Sequence, residues 1–191
     1  GNINGTVFGA GYGEESQTTS TIVNIDNNVK DVYGGSFAGV TENATVNINS
    51  GTVSGTVYGA GEGSTSTTDL TTVNIKSNVV DAFGGSYAGF AGTTNVNLIS
   101  GNVSGNIYGG GNQGITTTTN IFVTGGSING TIYGAGYGET SETASTNVNI
   151  GISVGDVYGG SFAGSAGTTL INVNGSTENS DIYGAGEGST S

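Results

Sequence analysis

The acidic pairs Glu14/Glu15 and Glu139/Glu142 are the side chains best placed to hold a cation, and carboxylate oxygens of this kind suit calcium. Calcium-binding β-rolls place Asp inside a GGxGxD run. The corresponding glycine runs here carry Tyr12, Phe37, Glu62 and Asn112, so loose calcium holding at the acidic loops is the most that is expected, and no cofactor is assigned. GAGYGE (9–14) and GGGNQG (109–114) look like phosphate loops, but such loops lead into a helix N-terminus, and a P-loop also needs Gly-Lys-[Ser/Thr]. Neither follows, so these runs read as turns. Polysaccharide-cleaving β-helices work with paired carboxylates, a bound cation and a basic residue. This chain has no Arg, and Lys30 and Lys76 fall in different columns of its repeat. Without His or Cys, the common zinc sites and the Ser-His and Cys-His nucleophile pairs are excluded. The expectation is a protein that is not an enzyme.

Charge narrows the partners. Two basic residues stand against 14 acidic ones, a net charge of −12. A nucleic-acid partner is excluded, because neutralising phosphates takes clusters of Lys and Arg. No apolar run approaches the roughly 20 residues that cross a bilayer as a helix, so membrane insertion is not expected.

What the sequence does carry is a period. Aliphatic–aromatic–Gly recurs every 25 residues: VFG at 7–9, VYG at 32–34, VYG at 57–59, AFG at 82–84, IYG at 107–109, IYG at 132–134, VYG at 157–159 and IYG at 182–184. A second mark, aliphatic–Asn–aliphatic, lies between these at Asn24, Asn47, Asn74, Asn97, Asn149 and Asn172, with Phe122 in the corresponding place of the fifth unit. The path from Phe8 to Val23 is two residues longer than that from Tyr33 to Val46. The return from Val23 to Tyr33 is two residues shorter than that from Val46 to Tyr58. The compensation keeps the period constant, which points to a closed coil as the conserved quantity.

Each unit holds strand formers at period two, as in STIVNI (20–25), and no window has helical spacing. The predicted fold is all-β: a right-handed parallel β-solenoid (β-helix) of 25-residue coils, about eight of them, forming a rod roughly 37 Å long at about 4.8 Å per coil. An antiparallel sandwich is the alternative, but it gives no reason for eight units to stay in register. Residues 1–191 are expected to be one array without caps, part of a longer array or stacking end to end or laterally on its own copies.

Stacking turns each column into a ladder. The aromatic column is Phe8, Tyr33, Tyr58, Phe83, Tyr108, Tyr133, Tyr158 and Tyr183. Its rings either close a corner of the core or form an exposed stripe for sugar or for a neighbouring rod. The Asn column can pass amide hydrogen bonds from coil to coil. The residue preceding the VYG-type mark reads Thr6, Asp31, Thr56, Asp81, Asn106, Thr131, Asp156 and Asp181, mostly alternating acidic with neutral, which limits direct stacking of like charges. The Thr column at 21, 71, 94, 119, 146 and 169 is the candidate for an ice-binding face. It shares its parity with the core Val and Ile, however, and the outward neighbours Ile22, Thr45, Thr72, Asn95, Asn120 and Leu170 are mixed.

VYGG and VYGAG turns, V-N-I strands, and abundant Gly, Thr and Asn without Cys resemble the repeat regions of large bacterial surface proteins, adhesin-like or autotransporter-like. The resemblance implies an extracellular or cell-surface, non-catalytic role in adhesion or fibre building, with a host or glycan surface among the partners. A glycan- or ice-binding solenoid is the alternative function.

Overall fold

Short runs of Val, Ile, Thr and Tyr broken by Gly leave the chain no way to bury apolar surface within one unit, so the units stack. The computed structural model describes residues 1–175 and 180–188; the end of the last glycine run, 189–191, lies outside the described residues. In chain order the strands are β1 (Ile3–Phe8), β2 (Gln17–Ile25), β3 (Val29–Tyr33), β4 (Val40–Ile48), β5 (Thr52–Tyr58) and β6 (Thr67–Ile75). They continue as β7 (Asn78–Phe83), β8 (Phe90–Leu98), β9 (Asn102–Val103), β10 (Ile107–Tyr108), β11 (Ile115–Val123) and β12 (Ser127–Ile128). The last are β13 (Ile132–Tyr133), β14 (Glu142–Ile150), β15 (Val157–Tyr158), β16 (Ser165–Val173) and β17 (Ile182–Tyr183).

Two parallel sheets result. One runs β1-β3-β5-β7-β10-β13-β15-β17, with β9 and β12 beside that path; the other, of seven strands, runs β2-β4-β6-β8-β11-β14-β16. Each coil supplies one strand to the second sheet, which makes about seven turns, close to the eight expected. The aromatic marks pair in the first sheet, Tyr33 with Tyr58 and Tyr108 with Tyr133, and the Asn marks pair in the second, Asn47 with Asn74. The chain is an all-β parallel β-solenoid with a turn every 25 residues.

The core is a dry aliphatic strip between the sheets. Val46, Ile48, Val73, Ile75, Val96 and Leu98 project from the second sheet onto Val32, Val53, Val57, Val79, Ala82 and Val103 of the first, all buried. Each second-sheet strand turns two consecutive residues outward, as at Glu42 and Asn43, so that Thr41 and Ala44 on either side both point inward.

The compensation seen in the sequence has a divided origin. A long first turn, as between Phe8 and Gln17, exceeds the short one between Tyr33 and Val40 by two residues. One residue is recovered in the second turn, where Ile25 to Val29 is one shorter than Ile48 to Val53. The other is recovered within the first sheet, where the register slips by one between Val29↔Val53 and Val32↔Val57. That slip is a β-bulge at Gly55. A Cβ on Gly55 would lie 2.1 Å from the Asp31 carboxylate oxygen and 2.9 Å from the Lys30 carbonyl oxygen, so a side chain here must displace the Asp31 carboxylate; in the last coil the equivalent position is Ser180.

Candidate functional site

The aromatic mark builds a continuous stack. Successive rings from Phe8 to Tyr183 lie 4.4 to 5.3 Å apart and within 15° of parallel. The ladder is separate from the aliphatic strip, and its middle members Tyr33, Tyr58, Phe83, Tyr108 and Tyr133 are buried. Phe8 and Tyr158 are half-buried and Tyr183 is exposed. Of the two expectations for these rings, the corner of the core describes the middle of the rod. The Gly after each ring from Phe8 to Tyr158 is required by close approach to the next coil, not by a left-handed turn: a Cβ on Gly59 would lie 2.3 Å from the carbonyl oxygen of Gly84, whereas Gly184 in the last coil has open space.

Two of the phenols meet carboxylates. Tyr133 donates to Glu187 Oε2 at 2.5 Å, and Tyr183 donates to Asp181 Oδ2 at 3.2 Å. Burial first, then nearby acids, push the Tyr33 phenol above its ordinary range, and burial also raises Tyr58 and Tyr133. The Tyr108 phenol is pushed up to about 12, chiefly by burial, although the Asn106 amide beside it acts the other way. Burial and the neighbouring Asp31 carboxylate also raise Glu62.

The Asn column passes amides as expected. Asn47 Nδ2 donates to Asn24 Oδ1, Asn74 to Asn47 and Asn97 to Asn74, each at 2.8 Å, and Asn172 donates to Asn149 at 2.9 Å. Phe122 interrupts it. Around that rung, amide contacts occur in the adjacent column, where Asn120 donates to Asn95 Oδ1 at 3.1 Å, and Asn149 turns to Asn147 at 3.1 Å.

The Asp column does more than space charges. Asp31 Oδ1 accepts the N–H of Thr56, Asp81 Oδ1 that of Asn106, Asn106 Oδ1 that of Thr131 and Asp156 Oδ1 that of Asp181, at 2.7 to 3.0 Å. The Thr column points inward, as its parity indicates. Thr21, Thr71, Thr94, Thr119 and Thr146 donate their hydroxyls across the solenoid to the carbonyls of Gly34, Gly84, Gly109, Gly134 and Gly159. An ice-binding face cannot be built from that column. The acidic pairs Glu14/Glu15 and Glu139/Glu142 are exposed, and among the described residues no three His, Cys, Asp or Glu converge on one point.

Sequence reasoning missed a second aromatic column, four residues beyond the first. Tyr12 stacks on Phe37 at 4.4 Å and Tyr137 on Phe162 at 5.0 Å. These rings also cover the first ladder edge-on: Phe37 on Phe8, Tyr87 on Tyr58, Tyr137 on Tyr108 and Phe162 on Tyr133. Glu62, Asn112 and Glu187 hold the remaining positions of this column. The signal lies in the glycine runs themselves, which carry Tyr12, Phe37, Tyr87, Tyr137 and Phe162 at one fixed offset from the first column. At Asn112 a notch of about 250 Å³ opens, lined by Thr56, Tyr58, Asp81, Phe83, Tyr108, Asn112 and Tyr137.

Fold and ladders define the class: a two-sheeted parallel β-solenoid repeat protein. Compared with family models, with curated proteins and with solved structures, the chain gives no match.

Proposed function

We propose that the chain is a non-catalytic structural element, the shaft of an extracellular fibre or of an adhesin at a cell surface. One observation supports this reading above others: the polar and aromatic columns are spent on holding coils together. Asp carboxylates take N–H groups of the next coil, Asn amides bond one coil on, and rings stack on rings. Side chains that could do chemistry are thereby committed to stiffness along the axis. The resemblance to bacterial surface repeats fits the same role.

The test is to insert two-coil units and measure length by small-angle scattering and unfolding force by single-molecule pulling. A shaft lengthens by about 4.8 Å for each added coil and keeps its cross-section. A length that fails to grow with coil number would remove the spacer role. Antibody labelling of intact producing cells tests the surface location, and label confined to permeabilised cells would refute it.

A further inference from the structure

In the second aromatic column, rings on successive coils stack, but Asn112 holds the rung between Tyr87 and Tyr137. Tyr137 has Phe162 against one face only, and Tyr87 and Tyr137 remain 39% and 37% exposed. Beneath the missing rung lies Phe83. It has none of the edge-on cover that Tyr87 gives Tyr58, at 5.9 Å, and Tyr137 gives Tyr108, at 5.7 Å. Phe83 also lacks the hydroxyl of its ladder neighbours, so the floor dips between the phenols of Tyr58 and Tyr108. The notch of about 250 Å³ opens over Phe83 beside this rung, with Tyr58 and Tyr108 on its floor, Tyr137 in its wall and Tyr87 outside its lining. It coincides with the one unit whose glycine run, GGGNQG, departs from the two common forms.

We propose that the notch binds one neutral hexopyranose unit of a glycan. A ring lodged there would lie against Tyr137, about one coil step, roughly 4.8 Å, from its rung. Aromatic faces carry negative charge, and the C–H bonds on the face of a pyranose present positive charge to them. The rim is polar: the Asp81 carboxylate accepts, the Asn112 amide donates and accepts, and the Tyr58 and Tyr108 hydroxyls do both. Asn112 Nδ2 reaches Tyr58 only at 3.4 Å, so its amide is weakly engaged. A sugar meets such a rim with hydroxyls around its circumference. A hydrocarbon ring would bury these groups without partners. The chain's charge of −12 and Asp81 at the rim select against uronic and sulfated sugars. The proposal is independent of the shaft role, which would stand if no sugar bound.

Isothermal titration of the whole chain with neutral gluco-, galacto- and manno-configured trisaccharides, into the millimolar range, provides the test. Saturable binding of at least one, at one site per chain, is expected. Asn112→Tyr should abolish it by filling the rung while leaving the circular dichroism of the fold unchanged. Tyr137→Ala should weaken it about tenfold, the size of a lost aromatic contact. Tyr137→Ala keeps the test decisive should Asn112→Tyr fail to fold. No saturation with any of the three sugars, undiminished binding by either folded variant, or preference for a uronic trisaccharide would each overturn the proposal.

Discussion

The Asp31 carboxylate accepts the backbone N–H of Thr56, one coil on, at 2.9 Å. It does so in the space left by Gly55, where the bulged first-sheet strand carries its extra residue. A bulge that would otherwise leave an N–H unpaired is thus closed by a side chain from the neighbouring coil. Asp31→Ala should therefore cost about 1–2 kcal/mol in chemical or thermal unfolding. Asp31→Asn should cost little, because Asn106 does the same for Thr131 in the native chain. Lys30 lies 3.2 Å from the other Asp31 oxygen, but it is 63% exposed, so Lys30→Ala should change stability by only a few tenths of a kcal/mol. If Lys30→Ala proves as costly as Asp31→Ala, the ion pair and not the bulge is what matters.

Two threonines of β11 offer a paired comparison. Thr119 donates to the Gly134 carbonyl, whereas the buried Thr116 hydroxyl has no protein partner. Thr119→Val should destabilise by about 1–2 kcal/mol, and Thr116→Val, equal in shape, should be neutral or stabilising. Ala44 stands in the Thr column where a hydroxyl would face Gly59 O, so Ala44→Thr should raise the melting temperature. Equal losses from both Val variants would show that the cross-solenoid bond carries no special weight.

Gly59→Ala tests the close approach of coils. Its Cβ would press on the Gly84 carbonyl oxygen, which is backbone and cannot swing away, so the coils must part. A loss of about 1–3 kcal/mol is expected, growing with Gly59→Val. An unchanged melting temperature for both would mean that the coils separate freely at this corner.

Alkali should loosen the ladder. The folded chain holds the phenol protons of Tyr33, Tyr58, Tyr108 and Tyr133 more tightly than the ordinary value of 10.0. Above that pH the unfolded chain gives up protons that the folded chain keeps, so stability is fully present below pH 10 and declines as pH rises towards about 12, where Tyr108 ionises in the folded state. Chemical unfolding followed across this window, with phenolate absorbance as a second probe, should show the decline, and Tyr108→Phe should make it shallower. A flat profile would mean that the phenols are open to water.

The period and the strand pattern were legible because stacking makes identical residues neighbours, so register is written as repetition. The Asn contacts followed from the same logic, and the inward Thr column from parity. The bulge at Gly55 was not legible, since a two-residue compensation looks the same whether it falls in one turn or is split between a turn and a strand. The role of Asp31 was hidden with it, because a carboxylate bonded to backbone leaves no partner residue to read. The second aromatic column was visible as letters at Tyr12, Phe37, Tyr87, Tyr137 and Phe162, but its interruptions at Glu62, Asn112 and Glu187 disguised it as variable loop.

A rod that pairs a longer turn with a plainer strand, and a shorter turn with a bulged one, is also a ruler. Each coil, of either form, advances the chain by one graduation of about 4.8 Å. Whatever is mounted on one rung, the notch at Asn112 included, has its distance from any other rung set by the number of coils between them. Adding or removing coils re-addresses that group along the axis while leaving the chemistry around it the same.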